Sequence, residues 1–257
     1  MKKKLLVGSL VFFLWLGIWQ CCYLIVGRDI ILVSPLMAAQ SLLEMLQTKA
    51  FYHSMLNTVR NVFAGFAAAM LAGTMLALVT YISPLLRAFF MPMISIMKAT
   101  PVASFIILAL FFMKSKNLPI LVSFLMVMPL VWRNIFEGLN AVDRNLLEMS
   151  RLFKVPLKTR LRRIYLPTAI PYFVAAFQTG FGYAWKSAVT AEVMTSPRLT
   201  IGRHLADAKV YLDTLTLFSW TIVAILLSIL TEKLFNKLLS LIIQHYFPPL
   251  EEGTICD

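Results

Sequence analysis

Between residues 5 and 26 the chain runs for 22 positions without a charged side chain, and comparable apolar runs recur along its length. Backbone N–H and C=O groups cannot be left unpaired in hydrocarbon, so such runs cross a membrane only as helices or closed barrels. At this length each is a helix. Composition agrees. Of 257 residues, 60% are hydrophobic and 14% charged, against roughly 25% charged in soluble domains. Soluble-enzyme classes are thereby disfavoured. The net charge of +12 does not argue for nucleic acid, because the cations lie between apolar runs, where the positive-inside bias accounts for them.

The expected fold is all-α and polytopic, with six transmembrane helices and both termini cytoplasmic. Lys2, Lys3 and Lys4 precede the first run, which lacks a small-residue cleavage site and so reads as an uncleaved span in an N-terminal unit, residues 1–33. Residues 34–56 form an external segment. Ser34 and Pro35 predict the start of a short amphipathic helix reaching about Gln47. Residues 57–233 form the core with five further spans, and residues 234–257 an interfacial, then disordered tail. The second span is expected near 62–82, where Gly65, Ala69, Gly73 and Ala77 place four small side chains on one face for close helix packing. Residues 88–113 are interrupted by Pro92, Lys98 and Pro101. They form either a broken segment lining a transport path or an elbow followed by an ordinary span from Pro101. The fourth span is expected near 118–136, the fifth near 167–189 and the sixth near 214–231, with 190–213 an outer connection.

Between the fourth and fifth spans, residues 137–167 carry seven Lys or Arg and three acids. Thirteen cations fall on the predicted inner side and eight on the outer, so this loop sets the orientation. Lys114 and Lys116, in an outer turn, run against that bias. Within the loop, Val142, Leu146, Met149 and Phe153 form a stripe at four-three-four spacing on a helix of about three turns. Pro156 disfavours helical geometry at Val155, which should stop the helix near Lys154. Such a helix either lies on the bilayer or fits a groove of a soluble partner.

The same segment resembles the signature loop of binding-protein-dependent ABC importer permeases, E-A-A, three residues, G, nine residues, I-x-L-P. Here Glu148-Met149-Ser150, Lys154 and Ile164-Tyr165-Leu166-Pro167 hold those places at unchanged spacing. Lys154 replaces the family glycine, which implies either a different turn or a helix extended to Val155. Asn57-Thr58-Val59-Arg60, Lys98 to Pro101 with Ala103, Ala184-Trp185, and Ala191-Glu192 are similar to the nitrate, sulfonate and taurine type, which includes thiamine-precursor and riboflavin-like importers. Ile201-Gly202 stands where that type often has Gly-Leu-Gly.

The resemblance implies the type I importer permease fold and a pore subunit for a small solute. Its partners would be a cytoplasmic ABC ATPase dimer, a second permease subunit and an extracytoplasmic solute-binding protein. It implies that Val142, Leu146, Glu148, Met149, Arg151, Phe153 and Lys154 dock the ATPase. The chain has no GxxxxGK[ST] loop of its own, so nucleotide would be held by the partner, and no cofactor or metal is expected. Lys98, Lys186 and Glu192 are charges in or near spans and so candidates for the translocation pathway. Trp185 shares a face with Glu192. Snorkelling is the alternative for Lys186, and lining an outer gate or pairing across a dimer are the alternatives for Glu192. Arg133 and Glu137 are expected to pair at i, i+4. The histidines, His53, His204 and His245, form no ligand pattern and read as interfacial or packing residues. An ATPase-independent secondary transporter is the competing reading, but no internal repeat supports it.

Overall fold

The structure is a computed structural model, and it describes residues 2–246. Among these, every regular element is helical. Of the expected tail at residues 234–257, residues 234–246 continue the helix of the last expected span, and residues 247–257 lie outside the described residues. Helix α1 (Lys2–Val26) stands apart from the core. Most of its described side chains are exposed, and it is tethered by Trp19, whose Nε1 donates to the Val33 carbonyl at 2.9 Å and whose ring stacks on Phe218. The short helix α2 (Pro35–Met45) begins as expected, with Ser34 Oγ accepting from the Met37 amide.

The core is built on three long helices, α3 (Lys49–Ile82), α6 (Leu118–Asn140) and α9 (Leu166–Thr195). The small-residue face of α3 is the seam between the first two. Gly65, Ala69, Gly73 and Ala77 are all buried. A Cβ at Gly65 would stand 2.6 Å from Ser123 Cβ, and one at Gly73 would stand 2.9 Å from the Met128 carbonyl oxygen. A larger side chain would therefore force the helices apart, which explains the four-residue repeat. A Trp132 Nε1 to Thr80 Oγ1 hydrogen bond of 2.9 Å locks one end of the seam. On the other side of α3, Phe63, Phe66, Phe177, Phe181 and Phe235 interlock α3 and α9 with α11 (Thr214–Tyr246).

Two expectations change here. The second span belongs to a helix that starts at Lys49, because no breaker separates residues 49–61 from the apolar run. The interrupted region is two helices, α4 (Pro84–Ala99) and α5 (Val102–Leu110), bent by 99°. Thr100 is extended (ψ 122°) because Pro101 disfavours helical geometry in the residue before it. At nine residues, or about 14 Å, α5 alone does not cross a bilayer, so no ordinary span starts at Pro101.

Among the described residues, four helices (α1, α3, α6 and α11) are long and apolar enough to cross a membrane, or five if the bent pair counts as one. The expected fifth span, α9, has 30 residues, about 45 Å of helix. It falls outside that set by composition. The count of six is therefore not reproduced on length and apolarity.

Candidate functional site

The basic loop folds into α7 (Arg144–Leu152), a turn at residues 153–156, α8 (Leu157–Arg160) and a wider π-type turn (Leu161–Tyr165) that runs into α9. Asp143 caps α7, its carboxylate accepting from the Asn145 amide at 2.8 Å. Arg151 sits in the last turn, where a cation complements the helix dipole. Lys154 has φ 51°. Its amide donates to Arg151 O, and the Val155 amide donates back to Ser150 O at 2.9 Å. This six-to-one closure is the Schellman pattern. The lysine therefore adopts the left-handed conformation suited to the family glycine, and the helix is not extended to Val155.

On α7 the exposed apolar set is Leu146, Met149, Leu152 and Phe153, the last two 80% and 74% exposed. Glu148 and Arg151 are exposed beside them. Val142 does not join this face. It precedes the helix, outside the stripe's geometry, and is buried at 5% exposure. Leu152, which sequence spacing left off the stripe, takes its place.

A second feature follows α9. Gln178, Thr179, Gly182, Tyr183 and Lys186 line a cleft of about 410 Å3 with Ser228 and Glu232 of α11. Gln178, Thr179, Tyr183 and Lys186 are exposed, and Gly182 is half-buried among them. The residue spacing places them on one side of the helix. This polar face, together with Pro167, Pro171 and the buried Glu192, lowers the apolarity of α9. Lys186 Nζ lies 6.0 Å from the Tyr183 ring centroid. Lys98 is exposed in the last turn of α4, 5.8 Å from the Trp132 ring centroid. Trp185 faces the other way. It is 3% exposed and donates to Thr231 Oγ1 at 3.0 Å.

Glu192 is also displaced from its expected place. It is fully buried. Its Oε2 accepts from Thr58 Oγ1 at 2.8 Å and from the Gly202 amide at 3.2 Å, while Oε1 accepts from Asn61 Nδ2 at 2.9 Å. It thus neither lines a gate nor awaits a cation across a dimer. The carboxylate ties α3 and α9 to the first turn of α10 (Ile201–Val210), whose free amides favour an anion. A Cβ on Gly202 would stand 2.2 Å from Glu192 Cβ, so the glycine retained in Ile201-Gly202 is the one this close approach requires. Asn61 was the unread partner in this network.

Around this network, at the end of the bundle opposite the basic loop, Arg60, Lys114, Lys116, Arg198 and Arg203 surround a cavity of about 660 Å3 with Asn57 and Asn61. No acid lines it. Arg203 Nε also meets Asp207 at 2.7 Å. His204 lies beside this region, its ring stacked on Trp220 at 4.3 Å and its Nε2 2.9 Å from Ser54 Oγ. Burial pushes its pKa down, Asp207 pulls it up and Arg203 adds to the lowering. It is a packing histidine. Arg133 Nε and Glu137 Oε1 pair as expected, at 2.8 Å. Among the described residues no group of three or more His, Cys, Asp or Glu is placed to hold a metal ion.

Residues 67–244, more than half of the chain, match the family described as the binding-protein-dependent transport system inner membrane component. The chain belongs to that family. It is a permease-family integral membrane protein of the inner membrane, with the all-α fold of that class. Its relatives are of the sulfonate and nitrate type. It is 28% identical over 103 residues to a putative aliphatic sulfonates transport permease protein of Bacillus subtilis, covering 40% of this chain and 37% of that one. It is 21% identical over 161 residues to a bicarbonate transport system permease protein of Synechococcus elongatus, covering 62% and 58%. A nitrate import permease protein of Leptolyngbya laminosa is 22% identical over 216 residues, covering 80% and 76%. The match thus spans less than two thirds of the first two relatives' lengths, 37% and 58%. Among solved structures, an amino acid ABC transporter crystallised with histidines aligns with a TM-score of 0.62 at 20% identity, over 79% of this chain and 97% of that one. That likeness concerns the permease fold.

Proposed function

We propose that this permease is the pore subunit of an ATP-driven importer, working with a second copy of itself, a cytoplasmic ATPase dimer and an extracytoplasmic binding protein. The observation that carries this reading is the polar face of α9. Exposed polar side chains and a lysine within a membrane helix are costly against lipid and belong against water or protein. Two such faces opposed across a second subunit would line an aqueous path through Lys186, Tyr183 and Thr179. Lys98 at the α4–α5 bend would stand beside that path. With both termini cytoplasmic, the basic loop lies inside. There Leu146, Met149, Leu152 and Phe153 would enter the ATPase groove, with Glu148, Arg151 and Lys154 at its rim. ATP-driven closure would then rock the helices between inward-open and outward-open states.

The solutes in the relatives' names (sulfonates, bicarbonate and nitrate) are anions. The five-cation cavity at the outer end supports an anion for this chain too, in preference to a thiamine-precursor or vitamin-like solute.

The deciding measurement is uptake and ATP hydrolysis in the reconstituted complex. Glu148→Lys is expected to leave assembly of the membrane subunits intact and to separate hydrolysis from uptake. Phe153→Ala should weaken ATPase binding by about 30-fold, the loss of one interface anchor. Coupled uptake at the normal rate in Glu148→Lys would remove the docking role. Uptake by the chain alone would instead favour an ATPase-independent transporter.

A further inference from the structure

At the loop end of the bundle, residues of α3, α6 and α9 line a cleft of about 650 Å3, with Leu239 of α11 on one side. Its walls are Leu78, Leu139, Ala169, Ile170 and Phe173, and its mouth carries Lys158 and Arg162. Both cations are exposed, and no acid lines the cleft.

Helix cores are close-packed, with few voids larger than a water molecule. This cleft is not such a void: it opens to the outside of the bundle, so whatever surrounds the bundle occupies it. Water is a poor occupant, because each buried water needs two to four polar partners, and the walls offer almost none. The polar face of α9 is not involved, since Phe173 and Gly182 lie nine positions apart, about half a turn round the helix. A partner helix is also a poor fit. With side chains it is about 10 Å across, so this volume holds no more than a turn or two of one. A flexible hydrocarbon chain is thinner, and it is the surrounding solvent.

We infer that this cleft is a binding site for an anionic glycerophospholipid, its acyl chain lying along Leu139, Ile170 and Phe173 and its phosphate held by Lys158 and Arg162. Basic side chains at the mouth of an apolar interhelical pocket are the chemistry that recognises such headgroups. The site lies where the basic loop joins α9. An occupying lipid would brace the short α8 and the π-type turn, which make few buried contacts of their own. This assignment needs the chain to span a membrane but is independent of its role in an importer.

The test uses the full chain in nanodiscs of equal phosphatidylglycerol and phosphatidylcholine, followed by native mass spectrometry of the lipid retained in detergent. Wild type is expected to keep phosphatidylglycerol in preference. Retention should fall roughly 30-fold when Lys158→Ala and Arg162→Ala are combined, at about fivefold per cation. It should persist when Lys158→Arg and Arg162→Lys are combined. Ala169→Trp, which fills the cleft and leaves the charges, should lose the lipid. Equal retention of the two lipids by wild type overturns the assignment, as does phosphatidylglycerol retention unchanged in both the double alanine and the Ala169→Trp variants. Efficient disulfide dimers from Ala169→Cys in a background with the chain's own three cysteines replaced by Ser would seat a second copy there instead, and would also overturn it.

Discussion

Lys154 shows how one residue can carry a family conformation without the family side chain. A left-handed φ costs an L-residue about 1–2 kcal/mol, and here the Ser150 carbonyl to Val155 amide bond compensates. Lys154→Gly relieves that strain but adds unfolded-chain freedom of similar size. Its thermal midpoint should therefore stay close to wild type, with coupling intact. Lys154→Val is the informative variant, since a β-branched residue is a marked outlier at positive φ. It should abolish the turn and lower ATPase binding by about tenfold or more, measured by co-purification or surface binding. Unchanged binding would mean that the turn does not set the position of α7. Glu192 makes the complementary point. A carboxylate in a span reads by default as functional, yet three donors from two other segments make it a structural tie.

At the level of elements, α10 is held to the bundle by polar and aromatic contacts as well as by small residues. His204 stacks on Trp220 of α11 and meets Ser54 of α3. Its pKa is lowered, mainly by burial, from an unfolded value of about 6.5. A histidine held neutral in the fold contributes its stability above the unfolded pKa. That contribution is lost as pH falls below about 6.5 toward the folded value. The protection of α10 amides against hydrogen exchange, taken relative to their intrinsic rates at each pH, should therefore fall between neutral and mildly acid pH, and His204→Gln should flatten that dependence. An α10 equally protected at pH 7.5 and pH 5 would contradict this. The π-type turn at Leu161–Tyr165 belongs to the same scale. It carries the loop's basic half into α9 and brings Lys158 and Arg162 to the mouth of one cleft.

For the whole molecule, charge is arranged in two places with different consequences. The loop cations suit the cytoplasmic side proposed for them, whereas Lys114 and Lys116 run against that bias in sequence. In three dimensions they join Arg60, Arg198 and Arg203 around one cavity. Like charges gathered from three segments repel one another, and an anion relieves that repulsion while being steered inward. Replacing Arg60 and Lys116 together by Gln should raise the concentration of nitrate, bicarbonate or an alkanesulfonate needed for half-maximal uptake by about tenfold. It should also weaken the salt dependence of uptake. An anion transported equally well by the variant would detach the cavity from solute capture.

Much of this organisation was legible in the chain. Local patterns determined it: the apolar run before Val26, the Ser34-Pro35 helix start, the four-residue repeat from Gly65 to Ala77, and the spacing from Glu148 to Pro167. Each depends on residues near one another in sequence, where helix period and lipid length act directly. The tertiary structure decided which side of a helix faces what. It buried Val142, Trp185 and Glu192, exposed Leu152, bent the chain at Pro101, and turned α9 so that Lys186 lies on an open polar face. It also drew together cations that lie more than 140 positions apart. Periodicity specifies that a helix has faces. Only the packing of several helices against one another determines which face is closed by a neighbour, because that depends on side chains far away in the sequence.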